Sequence, residues 1–496
     1  MSDAAAHRFP VVTPARLPEP SLVGRALARF GTAHDAPMPM PLAGGAVGVA
    51  VVVALLATGN RPGLGLAFTI PLIWAPAVPA LLRRRAWGTL VTAALAVALG
   101  SVAAIRDAEW VVALSLLAAF GLTAVAAAGA RSPLGLALAV PTAPAAVTRG
   151  LVWFAGGLVV ASHGHRAAMG RWLRTAAITA VILVVFSTLL ASADAVFATL
   201  LPSLDLSLLP ARLAVGVLAG AATLGVASLA VRRPGWSVTR LARPGAYRPA
   251  EWFVPVLALG ALMVAFLVTQ VATAVGGDDY VHATVGLTYA AYARQGFGQL
   301  VAVTALTLVV VAWFARRAPR PAGGAAPGRA VRAALAVLCV AALGVVATAL
   351  VRMSLYVQAY GLTELRLLAA TGEAVMGAIL LLVLAAGVRW RARWLPLAAV
   401  RVAGVAMLLL ALANPSALMV RYNTGEQEVP LDIWHLQQLS ADAVPAIDTL
   451  EEPLRSCLLA HYETAAPGSV WEWNLSRSHA RAADDVLAGH DCPLTF

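Results

Sequence analysis

The chain has 496 residues, 60% of them hydrophobic and only 12% charged, with a mean hydropathy of +0.80. A soluble protein is about half apolar and a quarter charged, so a set of soluble domains is excluded and the chain reads as a polytopic membrane protein. The net charge of +12 is carried by 36 arginines and no lysine; arginine beside apolar runs follows from membrane orientation, and no nucleic-acid partner is expected.

Residues 1–42 hold four arginines, seven prolines and no compact apolar core. They lack the basic, apolar and small-residue succession of a secretory signal and read as a flexible cytoplasmic tail. A helix that crosses hydrocarbon needs about 20 mostly apolar residues, because it must satisfy its own backbone groups. Eleven runs qualify: 43–59, 62–82, 87–105, 110–130, 174–192, 207–230, 252–275, 296–315, 333–356, 367–388 and 395–413. The fold class expected is all-α, a transmembrane bundle of about 11 spans. Residues 131–173 are harder to place. Pro133, Pro141 and Pro144 interrupt the first half, and Arg149, His163, His165, Arg166 and Arg171 the second. They read as interfacial or re-entrant helices on the cytoplasmic side, the alternative being a twelfth span that inverts everything after it. Arginine placement favours eleven spans. Clusters then fall on one side at 83–85, 131–174, 232–248, 316–332 and 389–393, while Arg61, Arg106, Arg294, Arg352 and Arg366 are single on the other. That bias puts the N-terminus in the cytoplasm and the C-terminus outside a bacterial plasma membrane.

The Pro/Gly/Arg-rich stretch 316–332 reads as a cytoplasmic linker between spans one to eight (43–315) and spans nine to eleven (333–413). Residues 414–496 hold 12 of the 24 acidic residues and four arginines, and read as a small extracytoplasmic helical tail. Its segments are 431–439, a helix capped by Ser440 that runs past Leu459, and a third from Ser469 to Ala488. Cys339 is a mid-span filler. Cys457 and Cys492 both lie in the tail and are expected to form a disulfide if it lies in an oxidising compartment.

Seven of the eight tyrosines fall on the outer side. Arg352, Tyr356 and Tyr360 recur every fourth residue and share a helix face. Gly361 suits a left-handed stop and Thr363 the cap of the next span. With Tyr292, Arg294, Arg366 and Arg421 they make a candidate outer surface for an anionic envelope ligand or a protein partner, the plainer alternative being an aromatic belt. Asp194, Arg212, Glu373 and Arg401 are charges in or beside spans, which are functional candidates by default; Glu373 and Arg401 pair only if both side chains are stretched. No nucleotide-binding, hydrolase or zinc-protease motif is present, and neither a cofactor nor a metal is expected.

Five segments, 190–197, 292–297, 360–366, 414–423 and 431–445, resemble a family of bacterial multi-spanning proteins classed as a domain of unknown function. The resemblance runs from about span five into the tail and implies a polytopic membrane protein with no activity to carry over. At Gly298 it implies a bulkier residue followed by an acid; here Gln299 follows. Three functions remain open. The first is a non-catalytic receptor, sensor-like or complex-forming module in the lipid bilayer. The second is a secondary transporter, with inverted repeats and broken helices. The third is a membrane glycosyl or lipid transferase, which would use acids in an early outer loop; the second outer loop offers Arg106, Asp107 and Glu109.

Overall fold

A computed structural model describes residues 36–193, 206–235, 245–285, 296–320, 326–425, 431–460, 462 and 467–484. Among them every regular element is a helix, and ten helices are long and apolar enough to cross a membrane. The chain is an integral membrane protein built as an all-α bundle.

The helices are α1 (Met40–Ala57), α2 (Leu64–Ala67), α3 (Thr69–Trp74), α4 (Val78–Arg83), α5 (Trp87–Gly100), α6 (Glu109–Ala128), α7 (Pro133–Ala139), α8 (Ala143–Ala193) and α9 (Leu209–Val231). There follow α10 (Pro249–Val285), α11 (Phe297–Arg316), α12 (Arg329–Tyr360), α13 (Glu364–Arg389) and α14 (Leu395–Leu412). The tail adds α15 (Pro415–Asn423), α16 (Ile433–Gln437), α17 (Val444–Ile447), α18 (Leu454–Leu459) and α19 (Leu475–Asp484).

Contacts between helix ends sort the connections into two groups. At one end, Arg84 donates to the carbonyls of Ala230 and Val231, Tyr247 N donates to Arg317 O, and Arg332 reaches Val388 O. This arginine end gathers 83–85, 131, 232–233, 248, 316–317, 329–332 and 389–393. At the other end the tail packs on the connections after α1, α5, α12 and α14. The described arginines at 83–85, 131, 232–233, 248, 316–317, 329–332 and 389–393 therefore share one end of the bundle, while Arg240 and Arg243 lie outside the described residues.

One expected span and the expected interfacial or re-entrant segment differ from the structure. The run 62–82 does connect the cap end to the arginine end, but as the three short helices α2, α3 and α4. Pro71, Pro76 and Pro79 remove backbone donors along it, and each proline disfavours the helical conformation of the residue before it. Residues 131–173 are not a set of separate interfacial pieces: after α7 the chain forms the single 51-residue helix α8. Residues 143–160 of α8 qualify as a span by length and composition. Their contacts nevertheless stay at the arginine end. Ser228 Oγ donates to Ala146 O at 3.3 Å, Trp153 Nε1 donates to Ala36 O at 2.9 Å, and Gly157 lies against Met38. The chain reaches the cap end by Leu208, whose side chain lies against Gly59. The passage between the ends therefore falls between Gly157 and Leu208, which keeps the first described residues and the tail at opposite ends.

Close packing explains the inner helices. On α9, Gly216 and Gly220 face α1 so closely that an added Cβ would stand 3.0 Å from Ala50 O and 3.1 Å from Ala50 Cβ. Small residues four apart allow such approach where no hydrophobic force separates helix from lipid. The tail has its own core of Met419, Val420, Leu436, Val444, Ile447 and Leu458, each at most 1% exposed. Burial of a side chain of that size stabilises by about 1.5–3 kcal/mol, so this small unit holds a fixed shape against the bundle. Its helices are shorter than expected. Ser440 sits at the N-cap of a 3-10 turn without accepting a capping bond, and Glu452-Pro453 interrupts the long second helix between α17 and α18.

Candidate functional site

The tail docks on the bundle as a cap, and Asp442 is the centre of the contact. Its side chain is 1% exposed. Oδ2 accepts from the backbone N–H groups of Asp107 at 2.8 Å and Ala108 at 2.7 Å, which open α6. Ser440 Oγ donates to the same oxygen at 3.0 Å, Ser476 Oγ donates to Oδ1, and Arg106 stands 3.7 Å away. A carboxylate at a helix N-terminus meets unpaired donors and the positive end of the helix dipole. Arg106 is tied as well to Ala411 O at 2.6 Å and Leu412 O at 2.8 Å, so one arginine joins the entry to α6, the end of α14 and the cap.

A second row of contacts surrounds this centre. Asn474 Nδ2 donates to Ala103 O and Arg106 O at 3.0 and 2.8 Å. Arg477 pairs with Asp107 at 2.5 Å and donates to Pro62 O at 2.5 Å. Leu64 N donates to Trp473 O at 3.0 Å. Gly63 is required there, since a Cβ would lie 2.7 Å from the carbonyl oxygens of Glu472 and Trp473. On the far side Asn423 holds the turn between α12 and α13: Leu362 N donates to its Oδ1 at 2.6 Å and its Nδ2 donates to Leu362 O at 2.9 Å.

The expected tyrosine–arginine surface divides. Arg366 stacks its guanidinium 4.2 Å over the Tyr356 ring and donates to Tyr360 O at 2.8 Å and to Gly361 O. Tyr356 and Tyr360 meet edge to face at 5.2 Å. Gly361 has φ +80°, as its position requires, but Thr363 makes no capping bond. Arg352 is 9% exposed and turns into the bundle, donating to Gln270 Oε1 at 2.8 Å. Arg421 is exposed on the last turn of α15. Tyr292 and Arg294 lie outside the described residues, as do Asp194 and Cys492. Cys457 is buried in the cap.

Among the described residues, the intramembrane charges Arg212, Glu373 and Arg401 do not pair with one another. Glu373 is fully buried; Oε1 accepts from Thr304 Oγ1 of α11 at 3.0 Å, and Oε2 has no hydrogen-bond partner among the described residues. Arg401 turns the other way, to Thr92 Oγ1 at 2.9 Å and Gly88 O at 2.5 Å on α5. The stretched Glu373–Arg401 pair is thus replaced by two separate contacts, because α13 and α14 present them to different neighbours. Arg212 is half-buried near the cap end of α9.

Titration in the cap follows its bonding. Hydrogen bonds from Ser456 hold the Glu452 carboxyl below its usual range, against a smaller opposing effect of desolvation. Hydrogen bonds to Asp448 and Glu452 push Arg455 up. Burial pushes the Tyr462 phenol up, and its OH donates to Leu436 O at 3.1 Å. No group of three or more His, Cys, Asp or Glu among the described residues is placed to hold a metal. A shallow groove between α10 and α12, lined by Val256, Leu257, Gly260, Ala261, Val264 and Val337, offers apolar contacts only.

The family model described as Domain of unknown function (DUF4153) matches residues 93–450. The chain belongs to this family. The DUF4153 match takes in Arg106, Asp107 and Asp442, and stops short of Asn474, Ser476 and Arg477. No curated protein and no solved structure matches the chain.

Sequence reasoning missed this centre. Asp442 was legible only as an acid in the first turn of its own helix, and Arg106-Asp107 only as a charged loop. The available signal was reciprocal: two arginines on the arginine-poor side, Arg106 and Arg477, and acids able to receive them more than 300 residues away in sequence.

Proposed function

We propose that the protein is a multi-pass module of the bacterial plasma membrane, with its arginine end in the cytoplasm and its cap outside, which binds a protein partner and performs no catalysis of its own. The carrying observation is a cap that is held rigidly yet leaves large apolar side chains uncovered. Trp434 is 72% exposed and Val470 73%, while the polar groups beneath are bonded to the bundle. Exposed tryptophan on a fixed support is the usual anchor of a protein interface, since it brings much contact area at low entropic cost. The polar residues where the cap meets the second outer loop support the non-catalytic reading, because Arg106, Asp107 and Asp442 are engaged with one another and with backbone. A photo-crosslinker placed at Trp434 or Val470 in intact cells should give discrete protein adducts. Adducts from neither position, with the protein present at normal level, would contradict the binding role.

Transport is the second reading, and one pair of observations favours it: a fully buried carboxylate oxygen without a donor at Glu373, and the broken passage α2–α4. Proton uptake into vesicles, lost in Glu373→Gln, would move the assignment there. The pairing of Cys457 with Cys492 belongs to the same proposal of an extracytoplasmic cap.

A further inference from the structure

At the arginine end, four guanidinium groups from separate segments gather around the first turn of α5. Arg131, beyond α6, and Arg401, on α14, bring Nη atoms to 3.5 and 3.8 Å from the point where a Cβ on Gly88 would stand. Arg233, beyond α9, donates to Thr89 Oγ1 at 3.1 Å and lies over Gly129, with Nε 2.9 Å from the Cβ position there. Arg84 completes the group and is bonded to Ala230 O and Val231 O at 3.1 and 2.7 Å.

Among the described residues, no acid forms an ion pair with any of the four. The segments that supply the four arginines, 81–92, 126–150, 228–250 and 388–410, contain no Asp or Glu. The ion pairs seen between one described residue and another, Arg106–Asp442, Arg455–Asp448, Arg455–Glu452 and Arg477–Asp107, all involve the cap. Burial first, and then the like charges of Arg131 and Arg84, draw Arg233 below the ordinary arginine value. Many donors are also unspent. A guanidinium carries five N–H groups. Arg401 uses Nε and one Nη on Thr92 and Gly88, Arg233 uses one Nη on Thr89, and Arg131 remains exposed. The protein bonds that Arg401 and Arg233 do make fix those two groups in place, so the cluster is preorganised for one small, multiply charged acceptor.

We propose that Arg84, Arg131, Arg233 and Arg401 form a binding site for a phosphate group. Fork-shaped donors suit the paired oxygens of phosphate, and basic pockets between spanning helices are suited to anionic headgroups. The site lies where the helices end, at the depth of a lipid headgroup, so an anionic phospholipid is the expected source and soluble phosphate the other. It is independent of what the cap binds. The plainer reading is that these arginines serve orientation alone and attract any anion diffusely.

The test uses the full chain in uncharged detergent, with phosphatidylglycerol, phosphatidylcholine and inorganic phosphate as probes and native mass spectrometry as readout. Arg131→Ala is the informative variant, since Arg131 is exposed. Arg391→Ala removes a charge from the same end outside the cluster. Retention of phosphatidylglycerol over phosphatidylcholine is expected, weakened about five-fold by Arg131→Ala and less than about two-fold by Arg391→Ala. Displacement by inorganic phosphate would make soluble phosphate the source, and its failure to displace the lipid would make it the headgroup. Equal retention of the two lipids with no binding of phosphate, or equal losses in Arg131→Ala and Arg391→Ala, would overturn the site.

Discussion

Asp442→Ala should release the cap from the bundle. The substitution leaves two backbone N–H groups at the entry to α6, the hydroxyls of Ser440 and Ser476, and the Arg106 guanidinium without their shared acceptor. Removing one partner of a buried charge pair costs about 3–5 kcal/mol, because the remaining groups keep their desolvation without compensation. A single unmet buried donor costs about 1–3 kcal/mol. Water entering the opened contact recovers part of the sum, so a loss of about 3–4 kcal/mol is expected for cap docking. Asp442→Asn retains one acceptor oxygen but turns an amide donor toward other donors, and should cost about 2 kcal/mol. Hydrogen exchange on the full chain in nanodiscs reads the effect where it occurs. Amides of 433–447 and 475–484 should exchange faster by two orders of magnitude or so in Asp442→Ala, by the conversion of about 1.4 kcal/mol per tenfold change. Those of α12 and α13 should be unchanged. The reasoning is refuted if Asp442→Ala exchanges like the parent within about 1 kcal/mol.

Three other outcomes are expected. Gly63→Ala should loosen the same contact with no change in charge, since its Cβ would meet two carbonyl oxygens at 2.7 Å; accelerated exchange confined to 470–484 would show it. Tyr462 is pushed up by burial, so its contribution is complete below the unfolded phenol value of about 10 and is lost as pH rises above it; alkaline unfolding of the cap should shift to higher pH in Tyr462→Phe. Cys457 and Cys492 should appear as a linked peptide in non-reducing mass spectrometry, and full alkylation of both thiols without reductant would reject the pairing.

The bundle was largely legible because hydrocarbon imposes a length and a polarity that appear directly in the sequence. Arginine placement was legible for the same reason as far as the described helix ends go, where 83–85, 131, 232–233, 316–317, 329–332 and 389–393 share one end. The errors arose where a local signal competed with tertiary contact. Pro71, Pro76 and Pro79 were tolerated in a hydropathy window but break the backbone into α2, α3 and α4. Pro141 and Pro144 suggested interruption, yet Pro144 falls in the first turn of α8, where its missing N–H is harmless. Thr363 and Ser440 hold cap positions without capping bonds, and Ser440 bonds Asp442 instead. The Tyr356–Tyr360 contact was readable from helical spacing, but the Arg366 stack across the tight turn was not. Asp442 was not, because all that distinguishes it comes from residues 106–108 and 476, which the fold brings together.

The most direct measurement is labelling of single introduced cysteines in intact cells with a membrane-impermeant thiol reagent, counted above the parent protein. Trp434→Cys on the cap and Arg391→Cys at the arginine end are both at exposed positions. Trp434→Cys should label in intact cells and Arg391→Cys only after the membrane is opened. The reverse order would contradict an outward-facing cap, and with it the proposed binding role.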